Sequence, residues 1–263
     1  MTLRISLIWL LFVCGCSEES LDYTEVKRID EPVSAEELKS ILRIARQLPE
    51  ERLPKLPPIF TPPSAWPPER TLSVKELVAE DLDTIRRRND VEKVAESLGN
   101  NRRLDELLRK ERMTREQFVG LYLTIGVAIS RTAIAEPPDF DELLRKGRTV
   151  LRSLQKDQTS FAAYSEEQQF FVLQQAKWLT RMDRAEKLSL VPLENLQLVE
   201  DHSDLLLKIF PMELQQDPLL AVINPSAELG TPFEDTAESG FDEKIRWSRE
   251  NAILGSDAPL VRE

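Results

Sequence analysis

The stretch from Phe118 to Ile129 carries no charged side chain and is bounded by Glu116 and Arg131. Its twelve residues are too few for a bilayer crossing, which takes about 20. A helix that is apolar nearly all round is stable only when other elements cover its faces, so it belongs at the centre of a bundle. Gly120, Gly126, Ala128 and Ser130 are small enough to let neighbouring helices approach it closely.

The rest of the chain supplies those neighbours. Ser34 with Glu37, Ser73 with Glu76, Thr114 with Gln117 and Ser165 with Gln168 each form a capping box. Val33 with Leu38, Leu72 with Leu77 and Met113 with Phe118 add apolar staples at three of these starts. Apolar residues at helical spacing follow each box, as in Leu38, Ile41, Leu42, Ala45 and Leu48. Further helices carry Val91 to Leu98 with Gly99 as the stop, Leu104 to Leu108, and Leu143 to Leu154 after Asp139. A last long helix is predicted from Pro192, through Leu196, Val199, Leu206 and Ile209, to Pro211. No alternation typical of strands occurs. The expected fold is all-α, an irregular helical bundle of about six or seven helices over 71–210.

Residues 1–16 have a different character. Arg4 precedes an apolar run from Ile5 to Val13, interrupted only by Ser6, which suits the core of a signal peptide. Val13-Cys14-Gly15-Cys16 follows and resembles the lipobox of bacterial lipoproteins. Val13 takes the aliphatic place three before the cysteine, Gly15 the small place, and Cys14 the tolerant one. The resemblance implies a signal peptide over 1–15, cleavage between Gly15 and Cys16, and a thioether-linked diacylglycerol on Cys16. It also implies a third acyl chain on the new amino terminus. Two or three chains anchor firmly where one binds marginally, at about 0.8 kcal/mol per buried methylene. The address implied is the cell envelope, facing the periplasm or the outside, and Ser17 in place of Asp leans towards the outer membrane. The chain has two cysteines. One leaves with the signal peptide and the other carries lipid, so no thiol remains for a disulfide, a thiolate metal site or nucleophilic catalysis.

A lipidated tether is expected over 16–70, with one helix at 34–48. Eight of the seventeen prolines fall within 49–70, a composition that favours polyproline II. This Pro-rich spacer either lifts the body off the membrane or lies across it, with Phe60 and Trp66 in grooves. The formal net charge is −11, and residues 192–263 carry fifteen acidic against five basic side chains. Residues 71–191 are nearly balanced, with twenty acidic and twenty-one basic. No basic footprint for nucleic acid exists. From 211 to 263 the pattern loosens into an acidic tail, expected to be partly disordered, with one candidate helix at 241–254.

Recognisable chemistry is sparse. The eight glycines form neither GxGxxG nor GxxxxGK, so no nucleotide-binding loop or other cofactor pattern is present. His202, the single histidine, sits in Glu200-Asp201-His202-Ser203-Asp204 without a GxSxG elbow elsewhere. Glu200 and Asp204 share one face of the expected helix, a spacing that suits a solvated surface or a weakly held hard cation. Val94-Ala95-Glu96-Ser97 superficially resembles the catalytic Glu-Ser of lytic transglycosylases. The Gly-Leu-Met-Gln stretch of that family is replaced by Leu98-Gly99-Asn100-Asn101, a helix stop. Arg86-Arg87-Arg88 and Arg102-Arg103 are matched by nearby acids. The reading is a non-enzymatic scaffold or docking protein of the envelope, bound to lipid through Cys16 and to a protein partner. Two alternatives differ in class: a helical carrier of an apolar ligand around Phe118–Ile129, and a carboxylate-based hydrolase of wall or polysaccharide. Replacing Cys16 with Ser should release the protein from membranes and abolish palmitate labelling; persistent labelling would show that the motif is misread.

Overall fold

The computed structural model of the chain describes residues 25–88 and 90–220. Gly15, Cys16 and the candidate helix at 241–254 lie outside the described residues. Nine α-helices occur among the described residues: α1 (Ala35–Gln47), α2 (Val74–Arg88), α3 (Val91–Ser97), α4 (Arg102–Lys110), α5 (Arg115–Thr132), α6 (Phe140–Leu154), α7 (Glu166–Ser189), α8 (Leu193–Asp201) and α9 (Ser203–Ile209). There is no strand among them, only an isolated bridge between Ser73 and Ser160. The fold is all-α.

The helix starts follow from the capping chemistry. Ser34, Thr114 and Ser165 each accept from the backbone N–H three residues on, and Glu37, Gln117 and Gln168 accept from the cap residue's own N–H. Ser73 and Glu76 exchange the same pair of bonds ahead of α2. Each such cap contributes about 1 kcal/mol. Gly99 closes α3 at φ 57, with its N–H on the Glu96 carbonyl. One expected element is divided: the helix foreseen from Pro192 to Pro211 breaks at His202, whose φ of −121 and ψ of 16 separate α8 from α9. The break lets Val199 on one side and Leu206 and Ile209 on the other all reach the core.

Helix α5 lies at the centre, buried almost continuously from Gln117 to Ser130. Helices α8 and α3 pack against it, while the atoms nearest its two glycines come from other parts of the chain. A Cβ on Gly120 would meet the Lys27 carbonyl oxygen at 2.7 Å, and one on Gly126 would collide with the Ile59 side chain. Both partners belong to non-helical chain, which is thinner than a helix and can enter the shallow groove over a glycine. Thr124 donates to the Arg28 carbonyl at 3.1 Å and Ser130 to the carbonyl of Leu214, in the short 3-10 helix Met212–Gln215, at 3.0 Å.

The proline-rich segment takes the second of its two expected arrangements and lies across the bundle. Leu53, Leu56, Ile59 and Trp66 are buried, and Phe60 packs partly buried against the larger core. The segment runs antiparallel to α7, which supplies donors to its carbonyls. Gln169 bonds Pro68 at 3.0 Å, Thr180 bonds Pro62 at 3.4 Å, Arg184 bonds Thr61 at 2.9 Å and Lys187 bonds Ile59 at 3.2 Å. The two lengths match. Gln169 to Lys187 spans about 27 Å at the helical rise of about 1.5 Å per residue. Pro68 to Ile59 spans about 28 Å at the polyproline rise of about 3.1 Å.

Apolar packing forms two clusters joined by α6 and α7. The larger gathers α1, α3, α4, α5, α8, α9, the start of α6 and the C-terminal end of α7. The smaller holds Trp66, Val74, Leu77, Val78, Leu154, Phe161, Val172, Ala176 and Leu179, with Trp66 edge-on to Phe161 at 5.5 Å between centroids. Packing therefore crosses the boundary expected at residue 70, and it continues past 211, since Leu214 and Leu219 belong to the larger cluster. Replacing Gly120 with Ala should cost about 1–3 kcal/mol, because the obstructing atom is backbone. Chemical denaturation should show a lower midpoint with an unchanged slope.

Candidate functional site

The largest concentration of buried charge sits on the last turns of α7. Lys187 and Asp183 pair at 2.8 Å with side chains only 9% and 10% exposed. Arg184 donates to the carbonyls of Pro218 and Thr61, and both cations stand over the Phe60 ring, at 5.7 Å for Arg184 and 5.8 Å for Lys187. Burial pushes the Lys187 ammonium below its ordinary range, and the Asp183 carboxylate opposes that shift. The group resembles a charge-relay site in composition. Its geometry makes it a clamp, because its donors are directed at backbone oxygens of the proline-rich segment and of residue 218.

A second polar node joins α2 to the same segment. Asp81 accepts hydrogen bonds from the Ser64 hydroxyl and, at 3.0 Å, from the Trp66 indole N–H. Burial raises its pKa, and the two hydrogen bonds partly offset the rise. A carboxyl shifted this way is suited to general-acid chemistry, which in glycoside hydrolysis needs a second carboxylate about 5–9.5 Å away. The adjacent Glu80 is exposed and paired with Arg70. Asp81 thus ties Ser64 and Trp66 to α2.

The third feature is a surface cleft of about 240 Å³, with Arg46, Arg52 and Lys208 around an apolar floor of Leu42 and Ile209. Glu50 and Glu51 line it too, both at positive φ, 57 and 54. Left-handed backbone costs a residue with a Cβ about 1–2 kcal/mol. The turn is held by Leu48 and Pro49 carbonyls, which accept from Glu51 and Arg52, and by Leu53, which bonds the Ile209 carbonyl at 3.1 Å. Strain here lets the chain reverse after α1 and enter the bundle.

The residues singled out from sequence do not converge. His202 is exposed and forms the joint between α8 and α9. That break separates Glu200 from Asp204, so the shared helix face expected for them does not exist. Glu96 is exposed on the short α3, and the Ser97 hydroxyl bonds the Val94 carbonyl at 2.6 Å instead of a neighbour across a site. Arg87 pairs with Asp83 and Arg102 with Glu106, while Arg103 donates to the Gln47 carbonyl. Among the described residues no group of three or more His, Cys, Asp or Glu is placed to hold a metal ion. No helix among them is long and apolar enough to cross a membrane.

The clamp on α7 was hidden in the sequence because Asp183 and Lys187, four apart, read as a surface pair. One signal did point to it. Prolines lack N–H groups, so a proline-rich segment brings more carbonyl acceptors than its own donors can satisfy. When such a segment is buried, side-chain donors must come from elsewhere. No family model matches the chain, and neither the curated proteins nor the solved structures contain a significant match.

Two measurements test the nodes. Lys187→Met should destabilise the protein by about 1–3 kcal/mol, since it leaves the buried Ile59 carbonyl without its donor. Denaturant unfolding reads this loss. For Asp81 the folded pKa lies above the unfolded one, so the native state binds more protons between the two values. Its contribution is present below the ordinary aspartate value of about 3.9 and is lost as pH rises through the raised folded value. Asp81→Asn, whose carbonyl oxygen still accepts both hydrogen bonds, should equal or exceed the parent in stability at neutral pH. The difference should shrink on acidification through that window.

Proposed function

We propose that the chain is a lipid-anchored cell-envelope protein, held through acylated Cys16, whose helical body is a non-enzymatic docking module for another envelope protein. One observation carries the non-enzymatic part. Most of the buried polar side chains are engaged in holding the chain's own backbone. Asn195 bonds the Val33 N–H at 2.7 Å and the Glu31 carbonyl at 3.0 Å. Thr124, Ser130, Gln169, Arg184 and Lys187 all donate to main-chain carbonyls of distant segments. A catalytic site needs polar groups aimed at a reacting atom. Here they are aimed at peptide groups.

The anchored part is supported by the lipobox resemblance of Val13-Cys14-Gly15-Cys16 and by the fate of the chain that follows it. Residues 25–33 pack onto the body: Lys27 pairs with Glu37 at 2.9 Å, and Arg28 and Val33 are bonded as above. A pull on the lipid is thereby transmitted to α1, α5 and α8. The carrier alternative requires room beside α5, where Ile59, Leu214 and Phe210 lie against Gly126.

The docking element is assigned to residues 221–263, nine of which are acidic and four basic. Leu214 and Leu219 complete the core, so a cut after Leu220 leaves the body intact. The tagged protein, crosslinked in its native membranes, should recover a defined envelope protein that is lost on deleting 221–263. Recovery unaffected by the deletion, or recovery of nothing, would count against the docking reading.

A further inference from the structure

We infer that the turn between α7 and α8, Leu190-Val191-Pro192-Leu193, is a membrane-contact tip that dips into the lipid surface to which the chain is anchored. The inference rests on the lipid-anchor reading of Cys16. It deepens that reading by saying which end of the body meets the bilayer.

Reach comes first. Eight residues, Ser17 to Thr24, separate Cys16 from Glu25, the first described residue. Fully extended they span at most about 30 Å. The proline-rich segment adds nothing to this reach, since it is fastened along α7. The body is therefore held within one short tether of the lipid headgroups, and the end at which the tether arrives faces them.

That end can be identified. The Lys27 ammonium bonds the Pro32 carbonyl at 3.2 Å, so the entering chain folds back on itself there. Glu31 and Val33 are in turn bonded to Asn195, in the first turn of α8. Leu193 opens α8 two residues earlier. The arm that continues the tether thus passes beside the first turn of α8, next to the α7–α8 turn.

The turn has the composition for lipid contact. Its four consecutive residues are apolar, and Leu193 is 79% exposed and Leu190 48% exposed. Single exposed leucines are ordinary on a soluble surface. Two on one apolar turn, at the end where a lipid tether enters, match an interfacial contact, in which apolar side chains enter the headgroup and acyl boundary. Phe170, 63% exposed, provides the internal contrast. It lies in the first turns of α7, about 30 Å along the helix from Leu190.

The test uses the full-length acylated protein in vesicles of phosphatidylcholine and phosphatidylglycerol. Leu193→Cys, Leu190→Cys and Phe170→Cys are each labelled with a polarity-sensitive fluorophore, the mature chain having no other free thiol. Emission from 193 and 190 should shift to the blue and lose intensity when the acyl chains are brominated. Emission from 170 should stay water-like and unquenched. If the labels at 193 and 190 remain as wet as the one at 170, the tip is not in lipid and the inference is overturned. A blue shift without quenching would also overturn it, since a second copy of the chain would then be covering the tip. Failure of the anchor is read separately, from the mass of the Cys16 peptide; an unmodified cysteine defeats the anchor reading and this inference with it.

Discussion

The structure depends on the fastening of a carbonyl-rich, proline-rich segment to the side-chain donors of α7. A polyproline-like chain has no hydrogen bonds of its own and is normally left to water. Burying it requires an external donor for its dried carbonyls, because an unsatisfied buried peptide group costs about 1–3 kcal/mol. Gln169, Thr180, Arg184 and Lys187 meet that requirement at Pro68, Pro62, Thr61 and Ile59. The equal lengths of the two partners keep the contacts in register from one end of α7 to the other. Since α7, like α6, contributes to both apolar clusters, the fastening couples them.

The same logic governs the other non-helical pieces. The arm at 25–33 is held by Lys27, Thr124 and Asn195, and the chain after α9 by Ser130 and Arg184. In each case a non-helical segment covers a helix where a glycine or small residue leaves a groove, and a buried polar side chain bonds its backbone. The central α5 is covered by α8, α3, α7, α1 and α4, and these segments close the gaps left over its glycines. Most of the buried polar groups are thereby directed inward at the chain's own backbone.

Fastening the proline-rich segment changes what the amino terminus means. Under the proposed lipid anchor, a free segment would act as a stand-off between membrane and body. Bound along α7, it leaves only the residues before Glu25 to set that distance, and the proposed contact tip at Leu190–Leu193 lies beside the arm that follows them.

The sequence by itself determined the class of fold, because helix starts are local. A capping box is written in residues three apart, as at Ser34 and Glu37 or Thr114 and Gln117, and needs no distant partner to be recognised. The central position of α5 was legible for the same reason: an uncharged helix has to be covered on all sides. The covering itself was not legible. That Lys27 lies over Gly120, and Ile59 with Leu214 over Gly126, is a long-range packing result with no local signature. The buried pairing of Asp183 with Lys187 and the break at His202 are of the same kind, since burial decides whether a charged pair is surface or clamp and core contacts decide where a helix bends. No candidate site in the sequence became an assembled one, because Glu96, Glu200, His202 and Asp204 were grouped by chain order, and chemistry depends on convergence in space. Cys16 stands apart from both: the lipid proposed for it is read wholly from the four residues that end with it, and tertiary structure bears only on how far from such a lipid the body would stand.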